Sequence, residues 1–94
     1  MSDADRRTVH LSGEYDLMRA DELQAALTEN AHVAEVVADF SDVTFLDSAG
    51  IRALVKAHDW LAERSVVLAV AGASPFVRRV LEITALDTLI DVRE

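Results

Sequence analysis

Asp39-Phe40-Ser41-Asp42-Val43-Thr44-Phe45-Leu46-Asp47-Ser48-Ala49-Gly50-Ile51 is the stretch on which the fold of this chain turns. A strand ends, the chain bends, and a helix opens on a carboxylate followed by a hydroxyl and two small residues. Upstream, Glu35 to Phe40 is short, β-branched and mostly apolar, the pattern of a buried strand. Ser41 to Leu46 reads as a polar bend with little local order. Downstream, Asp47-Ser48 begins the longest helix, expected to run to about Glu63. Ile51, Leu54, Val55, His58, Leu61 and Ala62 form its expected core stripe, and Arg52, Lys56, Asp59 and Glu63 its wetted one.

Working outward, Thr8 to Ser12 alternates with the period of two of a half-buried strand, and Gly13 is expected to stop it. Ala20, Leu23, Ala26 and Leu27 recur at helical spacing between Arg19 and Asn30, with Asp21 and Glu22 in the first turn where they complement the helix dipole. Asn30 suits the end of that helix. Val66 to Ala71 is a third strand, closed by Gly72. Ser74-Pro75 opens a third helix, the hydroxyl capping and the proline needing no N–H, with Val77, Val80, Leu81 and Thr84 on one face. Thr88 to Val92 is expected as a last short strand. This alternation predicts an α/β fold: a small mixed, mostly parallel sheet of about four strands packed with about three helices, joined by right-handed crossovers. Residues 8–94 form one domain behind a tail of residues 1–7.

With 94 residues there is room for one modest core and no second domain. Seventeen acids against nine bases give a net charge of −8, which argues against direct nucleic-acid binding, since neutralising phosphates requires a basic face. All of that excess lies before Ser48: residues 1–47 carry 11 acids and 3 bases, residues 48–94 six of each. An acidic first half either suits a basic partner surface or simply keeps the protein soluble. The absence of cysteine excludes disulfides and thiolate metal sites and suits a reducing compartment. The longest apolar run, Val66 to Ala73, is too short for membrane insertion, and Met1 to Arg7 lacks the apolar core of a signal peptide. A cytoplasmic domain is expected.

Catalysis finds little support. His10, His32 and His58 fall in a strand, a loop and a helix, and none belongs to a zinc-like ligand array. Gly13, Gly50 and Gly72 are too dispersed to cradle phosphate. Ser48, His58 and Asp47 compose a triad only on paper, because ten residues of helix separate Ser48 from His58 by roughly 15 Å. No catalytic residue, metal or cofactor is assigned.

Asp47 and Ser48 admit two readings. Both can be ordinary capping residues, Asp47 accepting from the free N–H groups of the first turn. Alternatively, Ser48 stands at the positive end of the helix dipole near solvent, where a phosphate is tolerated without unfolding the helix.

Asp47-Ser48-Ala49-Gly50 with Ile51 and an amphipathic helix, behind a strand ending Ala38-Asp39-Phe40, resembles the STAS domain of bacterial anti-sigma-factor antagonists. The resemblance extends to Leu11-Ser12-Gly13-Glu14-Tyr15-Asp16 upstream. Downstream it takes in Ser74-Pro75, Arg78-Arg79-Val80-Leu81-Glu82-Ile83 and Ala85-Leu86-Asp87, covering roughly residues 8 to 92. It implies that Ser48 is phosphorylated and that the unmodified protein binds an anti-sigma factor, often itself a serine kinase. Phosphorylation would break that complex and a phosphatase would restore it. Asp16, Asp47, Ser48, Ala49, Gly50, Arg52 and Lys56 would form the docking surface. The chain departs from the family in lacking a strand before the Leu11 region and a helix after the last strand. Ala85 stands where a helix-ending glycine is common, and Tyr15 where an aliphatic residue is common.

Arg52 and Lys56 oppose the dipole of their helix, which leaves two readings: partner contact, or surface ion pairs such as Lys56 with Asp59. Trp60 reads as a core edge. A strand edge left uncovered invites pairing, so a homodimer is open. A second functional reading is a STAS subunit of an ABC-type transport assembly, contacting an ATPase without a phosphorylation cycle.

Overall fold

The computed structural model describes residues 5–29 and 32–94. Four strands and three helices alternate: β1 (Arg6–Tyr15), α1 (Ala20–Thr28), β2 (Glu35–Leu46), α2 (Ser48–Ala62), β3 (Val67–Ala71), α3 (Pro75–Ile83) and β4 (Asp91–Arg93). The sheet order is β1-β2-β3-β4 and every pairing is parallel, so among the described residues the sheet contains no antiparallel member. Each crossover therefore advances by one strand in the same direction. Right-handed connections of that kind deliver all the helices to one face.

Burial follows this topology. Leu11, Val36, Ala38, Phe40, Leu68 and Val70 join Leu23 and Leu27 of α1, Leu54 and Leu61 of α2, and Val77 and Leu81 of α3 in one core. Each large side chain sealed in this way contributes roughly 1.5–3 kcal/mol. The alternate residues of the strands line a face without a helix. There Arg93 reaches Glu35 through two hydrogen bonds (2.6 and 3.3 Å), and Arg6 adds a third to the same carboxylate (2.8 Å). Val37 and Ala69, which alternate with the core residues of β2 and β3, are buried nonetheless.

Several expectations are corrected. Ser41 to Leu46 is not a bend: β2 continues through it, paired with a β1 that also continues past Gly13 to Tyr15. Register shifts between His10 and Ser12 and between Gly13 and Glu14 add residues on the β2 side. Ser41 and Asp42 are consecutive exposed residues at the first shift, which breaks the alternation by which a strand is recognised. Gly13 kinks β1 at φ +81° instead of ending it, and Arg19 Nη1 donates to the carbonyls of Ser12 and Glu14 across the kink, both at 3.0 Å.

The inward face of α2 is also rotated from the expected one. Gly50, Ala53, Leu54, Ala57 and Leu61 are buried, whereas Ile51, Val55 and His58 are half-buried and Ala62 is exposed. Small residues carry little apolar weight in a periodicity count, yet they let α2 lie close to its neighbours. After α3, Ala85 turns left-handed at φ 60° and Leu86–Thr88 form a 3-10 turn, so the last strand starts at Asp91 and not at Thr88. At the start, β1 begins at Arg6, before the expected Thr8. Residues 1–4 of the expected tail and Asn30 lie outside the described residues.

Candidate functional site

Parallel strands deliver their C-terminal ends to one edge of the sheet, and the loops there collect the residues of interest. β2 hands directly to α2. Asp47 adopts extended backbone geometry, and its Oδ1 accepts from the N–H groups of Ala49 (2.9 Å) and Gly50 (3.1 Å), the capping that its sequence position implies. Ser48 follows as the first helical residue, and its side chain is exposed. Ala49 is half-buried beside it.

Gly50, grouped with the docking residues by its place in the motif, is buried instead. A Cβ there would meet the Tyr15 carbonyl oxygen and the Leu46 side chain, so its role is close packing. Asp16 is half-buried at the end of β1. Its Oδ1 accepts from the Met18 N–H at 2.9 Å, a local turn that shapes the loop entering α1.

Arg52 and Lys56 stand exposed on successive turns of α2. With Leu17, Asp21, Gln24 and Ala49 they line a surface depression of about 230 Å³ between α1 and α2. Of the two readings for this stripe, the Lys56–Asp59 ion pair is not formed: Asp59 contacts His58 Nδ1 instead (3.1 Å). His58 is half-buried, and Trp60 packs at the core edge with the Arg64 guanidinium 3.5 Å above its ring.

Two features of this edge escaped the sequence reading. Leu17 and Met18, 77% and 86% exposed, place an apolar pair in the loop after Asp16, and Leu17 lines the depression beside the start of α2. Their signal was legible, since two large apolar residues inside a polar turn serve no helical or strand period. Phe76, 54% exposed on α3, stacks on Phe45 at the end of β2 with ring centroids 6.3 Å apart. Nothing in the sequence joins that pair, because their adjacency depends on the extension of β2 through residue 46. Among the described residues there is no group of histidines and carboxylates fit to hold a metal ion. No helix among them is long and apolar enough to cross a membrane.

The elements thus define a one-sided α/β domain with a capped, hydroxyl-bearing helix start at the C-terminal edge of its sheet. A family model described as "Mlab, STAS domain" matches residues 2–91, and the chain belongs to the STAS domain family. Among curated relatives, the anti-sigma-B factor antagonist of Listeria monocytogenes is 31% identical over 94 residues, covering 97% of this chain and 82% of the relative. Among solved structures, an anti-sigma factor antagonist from Mycobacterium paratuberculosis superposes with a TM-score of 0.80 at 27% identity, over 95% of this chain and 77% of that one. The anti-sigma factor antagonist SpoIIAA shares the fold in its unphosphorylated form, with a TM-score of 0.78 at 20% identity over 98% of this chain and 83% of that one. The Bacillus protein in its phosphorylated form gives 0.70 at 19% identity, over 98% and 86% respectively.

Proposed function

We propose that this chain is an anti-sigma-factor antagonist that binds an anti-sigma factor through the surface around Ser48 and releases it when Ser48 is phosphorylated. The observation that carries this reading is the placement of Ser48: exposed, first in α2, and held by a cap that does not use its own hydroxyl. Exposed Leu17, which shares a depression with Ala49, and Met18 in the same loop supply apolar area for a partner, while Asp16, Asp47, Arg52 and Lys56 supply a polar rim. A kinase transfers the γ-phosphoryl group of ATP to Ser48 Oγ as the hydroxyl proton leaves. A phosphatase hydrolyses the ester back to serine and inorganic phosphate. The added charge of about −1.5 to −2 beside Asp47 and Asp16 opposes a partner packed on the same surface. The excess of acid before Ser48 suits a basic partner face and hastens encounter.

The test is affinity capture from an extract of the source organism with wild-type, Ser48→Ala and Ser48→Asp baits. Sigma regulators retained by wild type and Ser48→Ala, and lost by Ser48→Asp with at least about a tenfold drop in affinity, support the reading. Recovery of a transporter ATPase indifferent to both substitutions overturns it in favour of a transport subunit. Incubation of extract with ATP, read by mass spectrometry, must place the phosphoryl group on Ser48.

A further inference from the structure

Six of the eight arginines have a carboxylate partner: Arg6 and Arg93 share Glu35, Arg19 has Glu22, Arg64 has Glu63, Arg78 has Glu94 and Arg79 has Glu82. Arg7 and Arg52 have none among the described residues. Arg7 lies on an outer strand, but Arg52 stands where a base is locally unfavourable. It is the first charged side chain within α2, whose first turn contains no acidic residue. A base so near a helix start opposes the dipole. Arg52 is four residues beyond Ser48, the spacing at which two helical side chains meet. Side chains also lean toward the start of their helix, which carries the guanidinium over the turn that holds Ser48.

We propose that Arg52 is the receiver for a phosphoryl group on Ser48: after modification, the guanidinium closes on the phosphate and is withdrawn from the depression shared with Leu17 and Asp21. The inference rests on Ser48 as the phosphorylated residue and names how the modified site is held. A guanidinium offers parallel donors to two phosphate oxygens, a charge-assisted pair stronger than one between neutral groups. Asp47 cannot take this part, because its carboxylate repels phosphate and already caps the Ala49 and Gly50 N–H groups. Lys56 is eight residues away, about 12 Å along the helix. Modification would then act twice on a bound partner, adding charge at Ser48 and removing a base from the rim, while α2 stays folded.

The experiment encodes phosphoserine at position 48 of the full chain and follows the phosphate ionisation by phosphorus NMR. The carboxylates of Asp16, Asp21 and Asp47 raise that ionisation from its usual place near about 6, so the readout is the difference between variants. Arg52→Gln is expected to raise it by about half a unit relative to the phosphorylated parent, Arg52→Lys to restore part of the shift, and Lys56→Gln to leave it in place. Identical titrations in the parent and Arg52→Gln overturn the proposal, and so does an equal shift from Lys56→Gln. Because the phosphoserine is encoded, these outcomes do not depend on any kinase. Failure to find Ser48 modified by extract sinks the proposed function and leaves the titration standing.

Discussion

The main-chain oxygen of Tyr15 lies so close to Gly50 that a Cβ on that glycine would come to 2.5 Å from it and to 2.6 Å from Leu46 Cδ1. The Asp47 N–H also points to this oxygen, at 3.4 Å. The end of β1 is thereby set against the start of α2, and the Asp16 loop is brought beside Ser48. Gly50→Ala is expected to destabilise the fold by about 1–3 kcal/mol, as overpacking against backbone does. Urea unfolding measures the loss. An unchanged midpoint would mean that the two elements are not in such close register.

Removing the cap should loosen the helix start without dissolving the core. Asp47→Ala forfeits the acceptor of two N–H groups and should cost about 1 kcal/mol, whereas Asp47→Asn keeps an acceptor oxygen and should cost a few tenths, about 0.3 kcal/mol. Amide exchange at Ala49 and Gly50 should quicken in the alanine variant while exchange in β2 remains slow.

Ala85 holds a left-handed backbone, φ 60° and ψ 18°, with its side chain exposed. That conformation strains any residue with a Cβ and is nearly free for glycine, whose greater freedom in the unfolded chain takes back part of the gain. Ala85→Gly should therefore raise stability by about 0.5–1 kcal/mol, read as a higher melting temperature. A loss would indicate that this turn relaxes in solution.

Acid should loosen the bare face of the sheet. Hydrogen bonds from Arg93 and then Arg6 hold the Glu35 carboxyl below its ordinary value of 4.5, against the opposing effect of burial. Asp39 is likewise lowered, chiefly by the Ser41 backbone N–H and next by the Ser41 hydroxyl, with His10 contributing. A carboxyl lowered in the folded state binds fewer protons there than in the unfolded chain. Its contribution is thus complete above the unfolded value and is lost as pH falls through the folded one. As pH falls below the ordinary value of 4.5, Glu35→Gln should lose less stability than the parent, as denaturant midpoints measured at successively lower pH will register.

The helix faces that carry large aliphatics were legible because leucine and valine at helical spacing are unambiguous. Leu23, Leu27, Leu54, Leu61, Val77 and Leu81 are all buried as the periodicity implies. Asp47 was legible as a cap for a local reason, since its partners are two and three residues away. What depended on distant pairing was not. The second half of β2 needs β1 beside it to hold Ser41 and Asp42 in a strand, and α2 turns Gly50, Ala53 and Ala57 inward, Tyr15 and Leu46 leaving no space for a side chain at Gly50. The proposed docking edge was half visible: Ser48, Arg52 and Lys56 stood out as charged or hydroxyl-bearing, while Leu17 and Met18, an apolar pair inside a polar turn, offered a signal that went unread.

The helix-free side of the sheet has a practical consequence. With no native cysteine, a thiol introduced at exposed Thr8 would be the sole thiol on the molecule and a single point of attachment for thiol-directed chemistry. A chip or fluorophore attached there would grip the protein from behind, leaving the helical front and its serine turned toward whatever flows past.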